Sequence, residues 1–139
     1  MAWDIVYFAS EHEPAPAITF LDACPIRVKA TMLAVVAAVA SAPPPQFSGG
    51  GKWEAMHGTM GGYYEVRVTG PGREQFRLFC ILENSDATTL ALRGLPGPAI
   101  AIIAGLRKPP RTVFTEGDYK RVREQGTAYL ASRPRSIMK

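Results

Sequence analysis

Apolar positions change their period several times along this chain, and each change marks an element. Trp3-Asp4-Ile5-Val6-Tyr7-Phe8 is rich in aromatic and β-branched residues and predicts a first strand, closed by Ser10-Glu11-His12-Glu13-Pro14. Ala15 to Ala23 predicts a short helix offering Ile18, Phe20 and Leu21 for burial. Pro25 suits the first turn of a helix. From there to Ser41, Met32, Leu33, Val35, Val36 and Val39 recur at three- and four-residue steps, which makes one broad apolar helical face. Pro43-Pro44-Pro45 stops that helix, and a breaker-rich linker follows to Gly51.

The pattern then switches to period two. Tyr64-Glu65-Val66-Arg67-Val68 and Phe76-Arg77-Leu78-Phe79-Cys80 flank Gly70-Pro71-Gly72, which predicts an antiparallel hairpin. Asn84 to Pro98 reads as a long loop with local structure in Thr88–Leu92. Ala99-Ile100-Ala101-Ile102-Ile103-Ala104 is a continuous apolar run, expected as a strand covered on both faces and ended by a basic turn, Gly105-Leu106-Arg107-Lys108. Thr115 has the position of an N-cap, with Glu116 and Asp118 in the first turn of a final helix reaching Ser132. Tyr119, Val122 and Tyr129 fall on one side of it and Lys120, Arg121 and Arg123 elsewhere.

At 139 residues the chain fits a single domain able to bury a core without disulfides or metals. The formal charge of +4 is unevenly spread: segment 107–139 holds nine bases and three acids, which makes the tail a candidate nucleic-acid or acidic-protein surface. Cys24 and Cys80 stand in no CxxC or Cys/His spacing and read as free thiols of a reducing compartment. With His12 and His57 the only histidines, no metal site is expected, and no cofactor either. The glycines before Lys52 lack the Gly-Lys-Ser/Thr of a phosphate-binding loop. No signal peptide is visible, and the apolar stretch Ala30 to Ala42 is too short to span a bilayer, so a cytoplasmic protein with no membrane partner is expected.

Period two sets Glu65 and Arg67 on the face opposite Tyr64, Val66 and Val68. Arg77 joins them if the register allows, and two guanidiniums on one rigid face can hold a phosphate; the plain alternative is a pair of solvated surface arginines.

Taken together, the Trp53-Glu54 pair, the Tyr64-Glu65-Val66-Arg67-Val68 and Phe76-Arg77-Leu78-Phe79 strands, and the apolar strand ending in Gly105-Leu106-Arg107-Lys108 before a last helix resemble the RelE/HigB toxin superfamily, in its phage-derived HigB-like branch. The likeness runs from Phe20-Leu21 onward, and Cys80 stands where the pattern carries tyrosine. It implies one RelE-like α+β domain over residues 1–139: an N-terminal strand, two helices, a mostly antiparallel sheet and a C-terminal helix. It also implies the toxin of a type II toxin–antitoxin system, an mRNA endonuclease acting on the ribosome and inhibited by a cognate antitoxin, expected to be a helix-turn-helix protein. Arg67 and Arg77 match the strand arginines, Arg107 and Lys108 the basic turn, and Arg111 with Lys120, Arg121 and Arg123 the further RNA-facing positions.

RNA cleavage by its own 2′-hydroxyl needs a base, positive charge on the phosphorane, and an acid for the leaving 5′-oxygen. Arg67 and Arg77 suit the charge. Lys108 adds to it, and becomes a candidate base if Arg107 and Arg111 crowd it. His57 has the ordinary pKa for acid–base work, although it stands in a glycine-flanked connection. Glu83, closing the second hairpin strand, is a further candidate base. The competing expectation is a non-catalytic module of the same fold, acting through an antitoxin-like partner or nucleic acid.

Overall fold

The structure, a computed structural model, describes residues 2–10, 14–43 and 51–138. The breaker expected at 11–13 and the linker across 44–50 lie outside the described residues. In chain order the elements are β1 (Asp4–Phe8), α1 (Pro16–Ala23), α2 (Ile26–Ser41), β2 (Trp53–Ala55), β3 (Tyr63–Thr69), β4 (Gln75–Glu83), α3 (Ala87–Leu92), β5 (Ala99–Lys108), α4 (Glu116–Ala131) and β6 (Ile137–Met138). The fold is α+β. Its sheet has the order β2-β3-β4-β5-β1-β6 and is antiparallel except between β1 and β5.

Each sheet face is buried under helices, which is why alternate residues of β3 and β4 feed two separate cores. Leu21, Val28, Met32, Val36 and Val39 of α1 and α2 pack on Val66, Val68, Phe76, Leu78 and Ile102. On the other face Val122 and Tyr129 of α4 meet Phe8, Tyr63, Phe79, Ile81 and Ile103. The apolar stretch of β5 serves both cores, as its unbroken pattern predicts. Burying Val122 is worth about 1.5–3 kcal/mol, against under about 1 kcal/mol for an exposed ion pair. Packing rather than surface charge therefore fixes α4 on the sheet.

Two features differ from the pattern-based expectation, the reach of β5 and the presence of two very short strands. β5 does not end at a basic turn after Ala104; it continues to Lys108, because Gly105 to Lys108 stay paired with Leu78 to Gln75. A glycine is needed at 105, since a Cβ there would overlap the Phe20 ring of α1. β2 and β6, of three and two residues, are too short to show a period. Within 84–98 the local structure expected at Thr88–Leu92 is present as α3, capped by the Asp86 side chain on Thr89 N–H at 2.9 Å. α4 begins as expected: Thr115 and Asp118 form a reciprocal capping box. Among the described residues no helix is long and apolar enough to cross a membrane, and no cluster of His, Cys, Asp and Glu could hold a metal ion.

Candidate functional site

The β3–β4 register sets Arg67 directly opposite Arg77, and Glu65 opposite Phe79. Like charges at directly opposed positions repel. Glu65 answers that repulsion from the same face, with its carboxylate 3.6 Å from Arg67 and 3.9 Å from Arg77. Glu54 of β2, paired with Glu65 across the ladder, adds a 3.2 Å contact to Arg67. Arg77 is fixed further by donating to the Phe76 carbonyl at 3.0 Å and to Gln75 Oε1 at 3.1 Å. Glu65, Arg67, Gln75 and Arg77 floor a cleft of about 420 Å³ whose rim carries Arg111, Phe114 and Tyr119 from the β5–α4 loop and the start of α4.

Burial governs the electrostatics of this floor. It pushes the Glu65 carboxyl above the usual glutamate value, although Arg77 and Arg67 pull the other way. It also pushes the Arg77 guanidinium down, without removing the charge of a group that stays protonated in proteins. Tyr119 is raised by burial and then by the negative charge of Glu65, which keeps its phenol protonated. A half-buried carboxylate that is hard to ionise, two cations and a protonated phenol thus share one cleft.

Extension of β5 divides the expected basic turn. Lys108 lies on the face of Arg77, whereas Arg107 points to the opposite face. There Arg107 holds Glu74 through two hydrogen bonds of 2.6 and 2.8 Å, donates to the Ala23 carbonyl at 3.2 Å and stacks over Phe76. Arg107 therefore does not join the cleft. Nor is Lys108 crowded by Arg107 and Arg111: its ammonium lies 2.7 Å from Asp118 and donates to the Val113 carbonyl. The hydrogen bond from Lys108 comes first among the causes that hold Asp118 down to about 2. Arg111, with φ +64°, is exposed at the rim.

The remaining candidates stand apart from the arginine pair. His57 is exposed in the β2–β3 connection, at the opposite end of β3 from Arg67. Glu83 lies roughly 20 Å along β4 from Arg77, at about 3.3 Å per residue. It is 2% exposed and accepts from Arg93 at 2.7 Å, Tyr129 at 2.7 Å and Arg135 at 2.8 Å. Burial alone would raise its carboxyl, but the bonds from Arg135 and Tyr129 outweigh burial and hold it below the usual value. Such a carboxylate is a structural centre with no access to substrate. Arg121 pairs with Asp118 at 2.8 Å, Arg123 turns to Glu116 and Met60, and Lys120 is exposed on α4. Trp53 is in the core, stacked on Tyr64 at 5.2 Å. Cys80, fully buried under α1 and α2, faces away from the cleft.

No family model, curated protein or solved structure matches the chain. Glu65, Tyr119 and Phe114 line the cleft, and the sequence did not mark them as site residues. Period two already set Glu65 beside Arg67; what it lacked was the burial that changes the acid's strength. Tyr119 read as core-facing, which it is in part: its ring meets Phe79 edge-on at 6.1 Å. Phe114 gave no periodic signal because it stands in a loop.

Proposed function

We propose that this protein is a RelE/HigB-like toxin that cleaves mRNA on the ribosome and is held in check by a cognate antitoxin. One observation carries the reading: a cross-strand arginine pair with a half-buried carboxylate between its members, on the floor of an open cleft. Glu65 takes the proton of the attacking ribose 2′-hydroxyl as its oxygen bonds to phosphorus. Arg67 and Arg77 hold the two phosphoryl oxygens on which negative charge grows. The phosphorus–O5′ bond breaks as Tyr119 donates a proton to the leaving oxygen, giving a 2′,3′-cyclic phosphate and a 5′-hydroxyl. Solvent then reprotonates Tyr119 and takes the proton from Glu65. Lys108, braced by Asp118, adds positive charge from behind the Phe114 ring.

The test is induced expression of the wild type and Arg77→Ala in a bacterial host, with mRNA 5′ ends mapped in each. New ends within translated frames and growth arrest, both absent with Arg77→Ala, are expected. Arrest that survives loss of both Arg67 and Arg77 would overturn the assignment of the cleft. The second reading, a non-catalytic binding module, is favoured by the ties of Lys108 to Asp118 and Val113 and of Arg67 to Glu54. It predicts neither arrest nor new 5′ ends from a folded protein.

A further inference from the structure

The loop from β5 to α4 is held in place at several points. Lys108 donates to the Val113 carbonyl, and Thr112 Oγ1 donates to the Pro109 carbonyl at 2.7 Å. Pro109 and Pro110 restrict two φ angles, and the capping box at Thr115 begins the residue after Phe114. The last two loop residues are both apolar, and neither belongs to the two buried cores. Val113 is 79% exposed. Phe114 is half-buried, with the Arg77 guanidinium 5.5 Å and the Lys108 ammonium 5.4 Å from its ring centre, and the Tyr119 ring at 6.2 Å. A phenyl ring among two cations and a phenol is stabilised by its quadrupole. Solvent alone would not favour an apolar pair on the rim of a cationic cleft.

A nucleotide has two chemically different ends, an anionic phosphate and a flat base that loses little by leaving water. The cleft repeats that division, with guanidiniums on its floor and an aromatic ring on its rim, in a loop held by its own hydrogen bonds. We propose that Phe114, flanked by Val113, is a nucleobase platform, so that the cleft takes a single-stranded nucleotide with an unstacked base rather than bare phosphate or duplex. Bases in a helix are already stacked on both sides and cannot reach such a ring. The proposal rests on reading the cleft as an RNA site, and it makes Phe114 the residue that sets preference for the base beside the cut.

Binding of a 2′-O-methyl ribotrinucleotide, and of the same trinucleotide with an abasic central residue, to the wild type, Phe114→Ala and Phe114→Trp tests it by fluorescence anisotropy. The wild type is expected to bind the base-bearing strand about tenfold or more tightly than the abasic one, as stacking on an aromatic side chain allows. Phe114→Ala removes that ratio, and Phe114→Trp keeps it. Equal affinities in the wild type, an unchanged ratio in Phe114→Ala, or no binding by the wild type would each overturn the platform. Because 2′-O-methyl strands cannot be cut, a preserved ratio without cuts in cells would sink the nuclease reading alone. Cuts in cells with equal affinities would sink the platform alone.

Discussion

Glu65 stands between two guanidiniums and is still harder to ionise than an ordinary glutamate, because burial penalises its charged form more than Arg77 and Arg67 favour it. A base must be deprotonated to act, so cleavage should rise with pH through a midpoint above the ordinary value of 4.5. In Glu65→Gln that limb should vanish and the rate fall by about 10²–10⁴; single-turnover rates across pH would show both. The same shift has a sign for stability. The folded chain binds this proton more tightly than the unfolded one, so the contribution of Glu65 is largest below the unfolded value and declines as pH rises through the folded one. Glu65→Gln should therefore melt no lower than the wild type at neutral pH, and a clear drop would sink burial as the cause of the shift.

At the scale of elements, the continuation of β5 decides which bases can meet a substrate. Consecutive residues of a strand face opposite ways, so Arg107 and Lys108 cannot share a site. Arg107→Ala should leave cleavage within about twofold of the wild type and lower stability by no more than about 1 kcal/mol, since its partner pair is exposed. Lys108→Ala should lower the rate. Equal losses of rate from the two would contradict the division. The face of Glu65 and Arg67, the N-cap at Thr115 and the two-sided burial of 99–104 were legible from period and capping chemistry alone. What stayed hidden has physical reasons. The reach of β5 depends on main-chain pairing with β4, which side-chain pattern does not record past Ala104. The burial of Glu83 depends on Arg135, which arrives from 52 positions later in the chain. Phe114 owes its place to the cations around it, and loop residues have no period to betray them.

For the molecule as a whole, Glu83 is where distant parts are joined. Its carboxylate ties β4 to Arg93 just after α3, to Tyr129 on α4, and to Arg135, whose main-chain N–H also donates to the Arg93 carbonyl at 2.9 Å. Removing one partner of a buried ion pair costs about 3–5 kcal/mol, a large part of the 5–15 kcal/mol that holds a typical domain folded. Glu83→Gln should lose about that much in denaturant titrations. Because the folded carboxyl is held below its unfolded value, its contribution is present above the unfolded pKa and lost as pH falls through the folded one. Acidification should thus destabilise the wild type more steeply than Glu83→Gln.

The order of joining has a consequence for how the protein is born. β1 emerges early, yet it is bordered in the sheet by β5 and β6, and the carboxylate of β4 waits for Arg135. The cleft itself draws Arg111, Phe114 and Tyr119 from late in the chain to a floor made by β3 and β4. The sheet is not complete until residues as late as Met138 pair with β1, and the cleft is not complete until Tyr119 of α4 is in place. A half-made chain therefore presents neither a closed sheet nor a complete cleft.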